Sequence, residues 1–179
     1  DPDSVYLYNA NCNQILIDAI FPRVRYEDYR RGLCLLDPYG LHLDWSVIET
    51  AGRMRSVEIF LNFPILDMNR NVLRHDASKA APSQLARMNR FWGDESWRQA
   101  AYSADGNLFG FEEKTTNEAI VQAFRRRLKE VAGFSHVSEG MPMRNTTGAV
   151  IYYLIFASHK PVAARIVQDI FAKHRERRG

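Results

Sequence analysis

Three short, mainly apolar runs, separated by segments with helical spacing, constrain this chain most. They cover residues 5–8 (Val5, Tyr6, Leu7, Tyr8), 32–36 (Gly32, Leu33, Cys34, Leu35, Leu36) and 57–63, which Pro64 cuts off. Each has the length of a strand. Between them Ile15, Leu16, Ala19 and Ile20 recur at helical spacing as far as Pro22. Trp45, Ile48 and Ala51 share one face of a second helix, over 45–54, that Asp44 can cap. Strands read as apolar throughout are buried on both faces. The pattern therefore predicts an α/β fold with a mostly parallel sheet covered by helices.

The middle of the chain reads as helical and aromatic. A helix is expected over 66–73 and a loop over 76–82, after which Pro82 opens a helix carrying Leu85, Met88, Phe91 and Trp92. Residues 93–96 break it, 97–102 add a turn or two, and 103–115 form a loop containing Gly106 and Gly110. The stretch 65–115 is expected to be a helical insertion in a single domain spanning 1–179. Its aromatics Phe91, Trp92, Trp97 and Tyr102 form either a small core or a base-stacking surface. The C-terminal part predicts a helix over 116–131 ended by Gly133, strands over 134–137 and 149–157, and a final helix from Pro161 to about Lys173. The two strands form an antiparallel hairpin with a long loop.

With 179 residues there is room for one sizeable core. Apolar residues make up 46% and charged residues 25%, which excludes disorder and a fibre. Two cysteines, Cys12 and Cys34, exclude a disulfide scaffold. No apolar run approaches the ~20 residues of a membrane span. No signal peptide opens the chain, so a cytoplasmic location is expected. The sequence opens at Asp1 and passes almost at once into an apolar run with nothing leading into it. This gives the expectation that an upstream segment is absent. Residues 116–179 carry 11 Lys and Arg against 5 Asp and Glu, whereas the first 115 residues carry 13 against 16. A basic C-terminal third suits an anionic partner such as nucleic acid, or is a solvated helix face with a basic tail.

Several chemistries find no motif. There is no G-x-G-x-x-G fingerprint, phosphate loop, H-E-x-x-H or G-x-S-x-G elbow. His42, His75, His136, His159 and His174 are scattered, so no metal site is expected. What remains is Asp37-Pro38-Tyr39-Gly40 at the carboxyl end of an apolar strand, where open α/β sheets bind ligands. There Asp37 can accept a hydrogen bond from an amino group, Pro38 aims the backbone, and Tyr39 offers a face to a planar base. The alternative is a turn in which Asp37 caps a local amide. Asn9, Asn11, Cys12 and Asn13 stand at the end of the first apolar run, fit either to contact an adenine or to cap the next helix. Asn62 closes the third run in the same way. Arg125, Arg126, Arg127 and Lys129 spread around the polar side of one helix, as phosphate contacts or as a solvated face.

Taken together, several stretches resemble the bacterial three-Cys-motif partner protein family. They are Asp37-Pro38-Tyr39-Gly40, Leu61-Asn62-Phe63-Pro64 before Asp67-Met68-Asn69-Arg70, Phe91-Trp92-Gly93 before Trp97, and residues 153–158 before His159-Lys160-Pro161. The resemblance covers most of residues 5–170. It implies a Rossmann-like class I methyltransferase-type sheet ending in a C-terminal antiparallel hairpin. It also implies S-adenosylmethionine as cofactor, Asp37, Pro38 and Tyr39 as the catalytic motif, and Asn11 and Cys12 at the cofactor. The family has Gly-Asp-Cys-Asn at that second place, so Asn11 stands where an acid is usual. The single proline after Asp37 puts base amino-methylation in doubt. The glycine-rich loop of the first strand has no counterpart, so the resemblance implies that the N-terminal strands are missing from this chain. A three-cysteine-motif protein is implied as partner. Three readings follow: a methyltransferase acting on nucleic acid, a non-catalytic nucleic-acid- or protein-binding subunit, and a plain α/β domain.

Overall fold

The computed structural model describes residues 5–73, 80–103 and 113–176. The first ordered helix, α1 (Cys12–Ile15), runs on through a π turn at Leu16–Ile20 and a 3-10 turn at Phe21–Arg23. β1 (Gly32–Leu36) and β2 (Val57–Phe63) are parallel neighbours, with Gly32 opposite Val57 and Leu36 opposite Leu61. α2 (Trp45–Met54) crosses between them. α3 (Ile65–Asn71) follows β2, and α4 (Pro82–Trp92) and α5 (Trp97–Ala101) occupy the middle. β3 (Tyr102–Ser103) and β4 (Glu113–Lys114) form a separate two-stranded ladder. α6 (Asn117–Glu130) leads to β5 (His136–Val137), β6 (Met141–Arg144), β7 (Val150–Ser158) and α7 (Pro161–Glu176).

The sheet is mixed, which corrects the expectation of a mostly parallel one. β7 sits between β2 on one side and β5 and β6 on the other, and all three pairings are antiparallel. Among the described residues only β1 and β2 pair in parallel. β7 is apolar almost throughout because it is central, flanked on both edges, and central strands need not be parallel to be buried. The expected antiparallel pairing of the segment after α6 with β7 is present as β5–β7. β6 (Met141–Arg144), which the sequence places in the loop, adds a second antiparallel pairing with β7. Asn145 closes the turn by accepting hydrogen bonds from the N–H groups of Thr147 and Ala149 at 3.1 and 2.9 Å.

Two further expectations about strands are corrected. Residues 5–8 form no strand: they pair with nothing in the sheet, and Val5, Tyr6 and Leu7 are exposed. β1 is buried on one face only, with Leu33 57% and Leu35 71% exposed. Among the described residues β1 pairs with β2 alone, and α7 covers β7 instead of β1. A strand at an edge, without a helix over it, cannot bury both faces.

Helix boundaries follow local chemistry. α2 spans the expected residues, although the Asp44 side chain does not cap it and instead faces Arg90 at 3.8 Å. Thr116 caps α6 by accepting the Ala119 N–H at 3.2 Å. Ile59, Leu61 and Phe63 of β2, Trp45, Ile48 and Ala51 of α2, and Ile120, Phe124 and Leu128 of α6 form one core. Phe124 is its centre, 4.7 Å from the ring of Phe63 and 5.2 Å from that of Trp92. Phe91, Trp92, Trp97 and Tyr102 are buried in the same cluster, which makes them core and removes them as a base-stacking surface. The expected loops over 76–82 and 103–115 fall largely outside the described residues. Among the described residues, no helix is long and apolar enough to cross a membrane.

Candidate functional site

Parallel pairing brings the carboxyl ends of β1 and β2 side by side. Asp37 follows β1 directly, and Asn62 is the next-to-last residue of β2. Asn62 Nδ2 donates to Asp37 Oδ1 at 2.6 Å. This bond holds one carboxylate oxygen and leaves the other for a ligand. A cleft of about 320 Å³ opens here, lined by Asp37, Tyr39, Asn62, Asp67, Arg70 and Tyr152 among others. Pro64 ends β2 and starts α3, whose first turns carry Asp67 and Arg70 three residues apart, on one side of the helix. Asp67 Oδ1 accepts from Asn71 Nδ2 at 2.8 Å.

Gly40 is required by this arrangement twice over. Its φ is +56°, in the left-handed region. A Cβ at this position would stand 2.6 Å from the Asp67 carboxylate. Glycine thus lets a second acid close against the turn that carries Asp37. Tyr39 is 90% exposed, its ring 6.1 Å from that of His42. An aromatic held at the mouth of a polar cleft, with its face in water, is fit to stack on a planar ligand.

A second cleft, of about 400 Å³, lies on the other side of Asp37 and Pro38, which wall both. Its lining is mainly apolar and includes Tyr8, Leu16, Cys12 and Cys34. Burial, and secondarily the neighbouring Cys12, push the Cys34 thiol up to about 11, so it is un-ionised at neutral pH. Cys12 lines this cleft. Asn11 does not line it. Its side chain accepts the Asn13 N–H at 3.0 Å and caps α1, which is the capping alternative read from the sequence. Asn13 was missed as a positioning residue. It donates to the His42 carbonyl at 3.0 Å and accepts the Asp44 N–H at 2.9 Å, clamping α1 to the segment after β1.

The basic cluster on α6 divides in two. Arg125 is buried and donates to the Ser138 carbonyl at 2.6 Å, while pairing with Glu139 at 2.9 Å. Arg127 donates to the Trp92 carbonyl at 2.6 Å, pairs with Asp94 at 2.7 Å and lies over the Trp45 ring. Against desolvation, hydrogen bonds from the Ser96 hydroxyl and backbone N–H, and then the Arg127 guanidinium, hold the Asp94 carboxyl below its ordinary range. The expectation that Arg125 and Arg127 contact nucleic acid is therefore corrected: both are committed to holding α6 against its neighbours. Arg126 and Lys129 remain exposed.

Sequence reasoning found Asp37, Pro38, Tyr39 and Asn62 but gave no role to Asp67, Arg70 or Tyr152. The first two stand in the Asp67-Met68-Asn69-Arg70 stretch noticed for its resemblance, and Tyr152 arrives from β7, far away in sequence. Among the described residues no group of His, Cys, Asp and Glu is placed to hold a metal ion. No protein-family model, curated protein or solved structure matches the chain.

Proposed function

We propose that this chain is a methyltransferase-like domain whose Asp37 cleft binds the amino group of a planar acceptor such as a nucleobase. The observation that carries this reading is the Asn62–Asp37 bond at the joined carboxyl ends of two parallel strands. It pre-orients a carboxylate in a cleft that also holds Asp67, with the Tyr39 ring at its mouth. An amino group can donate to the free oxygen of Asp37 while its ring stacks on Tyr39. Arg70 at the edge of the cleft offers a cation for a phosphate carried by the same acceptor. A Rossmann-like sheet is part of the proposal, supported by the β1–α2–β2 unit and the antiparallel β7.

The fit to S-adenosylmethionine is partial. The apolar cleft on the other side of Asp37 and Pro38 suits an adenine ring. A ribose diol and an amino-acid end need carboxylate, amide or backbone partners, and Asp37 is the only carboxylate among the residues of that cleft. The described residues therefore do not hold the whole cofactor by themselves. This observation favours a second reading, in which the domain binds its planar ligand as a non-catalytic subunit, with nucleic acid or a three-cysteine-motif protein as partner.

Calorimetric titration separates the two readings. Adenosine, cytidine and S-adenosylhomocysteine are titrated into the wild-type chain and into Asp37→Asn. The main reading expects saturable nucleoside binding that Asp37→Asn weakens, together with binding of S-adenosylhomocysteine. Nucleoside binding alone supports the non-catalytic subunit. Absence of nucleoside binding, or binding indifferent to Asp37→Asn, overturns the Asp37 cleft as the site.

A further inference from the structure

We infer that the opposite rim of the sheet carries a second site, one for a phosphate group, built from Arg55, Lys160, Ser135 and Tyr26. These residues line a cleft of about 330 Å³ together with Gly133 and His159. The topology explains their meeting. Arg55 stands just before β2, Ser135 just before β5, and His159 and Lys160 just after the antiparallel β7. All three places lie at the same end of the sheet, because Ile59 pairs with Ala157 and His136 with Ser158. The Asp37 cleft is at the other end, beyond Leu36 and Asn62. The two sites are therefore distinct, and this inference does not depend on the function proposed for Asp37.

Among the described residues no carboxylate lines the cleft and no ion pair involves Arg55 or Lys160. A third cation is close: Arg31 lies 4.1 Å above the Tyr26 ring, and the Lys160 ammonium is 6.0 Å from the same ring. Tyr26 thus gathers Arg31 and Lys160 beside Arg55 by cation–π attraction. Arg55 takes a left-handed φ of +58°, which is unfavourable for an arginine. Like charges brought together repel unless an anion sits among them.

The uncharged partners suit a tetrahedral oxyanion. His159 Nε2 donates to the Gly52 carbonyl at 2.7 Å, and its ring stacks on Phe134, so the ring is fixed in place. Nδ1 then faces the Ser135 hydroxyl at 3.4 Å. This contact is long, and the hydroxyl can turn to an anion in the cleft at little cost. A guanidinium supplies paired N–H donors, an ammonium a point charge, and hydroxyls single donors, the set that phosphate oxygens accept. Inorganic phosphate, a phosphate monoester and a nucleic-acid backbone all present this group.

The test is a titration of the full chain at constant ionic strength, read by amide chemical shifts in the magnetic resonance spectrum. The probes are inorganic phosphate, adenosine monophosphate, and a short oligonucleotide with internal phosphodiesters only. Arg55→Gly removes the charge and relieves the left-handed strain, so it is expected to stay folded. Lys160→Gln removes the second charge at an exposed position. Arg90→Gln, on the exposed surface of α4, is the control. Saturable shifts at Ser135, His159 and Lys160 are expected, with affinity reduced about tenfold by Arg55→Gly or Lys160→Gln and unchanged by Arg90→Gln. Phosphate and the monophosphate competing equally assigns a free phosphate or monoester; tighter binding of the oligonucleotide, steeply weakened by salt, assigns a nucleic-acid backbone. The inference fails if no probe saturates, or if binding ignores both Arg55→Gly and Lys160→Gln.

Discussion

Asn62 donates a 2.6 Å hydrogen bond to Asp37 across the ends of two adjacent parallel strands. The two residues are 25 apart in sequence, and the bond exists because β1 and β2 end together. It fixes the direction of a carboxylate that is otherwise exposed to water. Asn62→Ala is expected to leave the fold intact, costing less than about 1 kcal/mol by chemical denaturation. Nucleoside affinity should drop several-fold all the same, because a freely rotating Asp37 must be ordered on binding. Equal affinities of the wild type and Asn62→Ala would show that the bond is a surface turn contact only.

Gly52 marks where α2 meets the loop after α6. A Cβ there would stand 2.0 Å from the Ala132 carbonyl oxygen, and backbone cannot swing aside as a side chain can. Gly52→Ala is expected to cost about 3 kcal/mol through forced separation of these segments. Gly133→Ala meets nothing within 4 Å and pays only for its φ of +86°, about 1 kcal/mol. Urea unfolding of both variants checks the order; a reversed order would mean that the α2 contact gives way easily.

Arg125 and Arg126 are adjacent and should behave oppositely. Arg125→Met leaves the Ser138 carbonyl and Glu139 without their donor and is expected to destabilise by about 1.5–3 kcal/mol. Arg126→Met should stay within about 0.5 kcal/mol of wild type, as exposed substitutions do. Melting temperatures of the pair decide this. Equal and small changes would return Arg125 to the exposed surface.

Tyr153 links stability to alkaline pH. Burial first, and then the Glu118 carboxylate accepting its proton at 2.8 Å, push the Tyr153 hydroxyl from 10.0 up to about 12. Its contribution is complete below pH 10 and is lost as pH rises toward 12. Glu118 moves the other way: a hydrogen bond from its own backbone N–H and one from Tyr153 lower it from 4.5, so its share is present above that value and fades in acid. Denaturation midpoints should therefore fall more steeply above pH 10 in the wild type than in Tyr153→Phe. Parallel pH profiles for the two would be the adverse result.

The strand at 57–63, the helix at 45–54 and the stop at Gly133 were legible in the sequence because each rests on neighbours within a few residues. Asp37, Pro38 and Tyr39 were legible as candidates for the same reason: a polar turn at the end of an apolar run announces itself. Burial and pairing were not legible. The run at 5–8 has a strand's composition but no ladder partner, and β1 has a core strand's composition at an edge position. Nor could sequence tell that Arg125 and Arg127 are inside while Arg126 and Lys129 are outside. That depends on which side of α6 faces β5 and α4, and only packing sets it.

The sequence by itself determined most of the alternation of elements, their stops, and the chemical types available at each strand end. Those depend on local backbone preference and hydrophobic spacing, which act over one or two turns of chain. The tertiary structure decided that β7 enters antiparallel between β2 and β5 and β6. That placement brings Tyr152 to the rim where parallel β1 and β2 already join Asp37, Asn62 and Asp67, and it joins Arg55, Ser135 and Lys160 at the other. Contacts between residues tens to about a hundred positions apart arise only when the chain closes on a shared core. Their residue types are written in the sequence, but their juxtaposition is not.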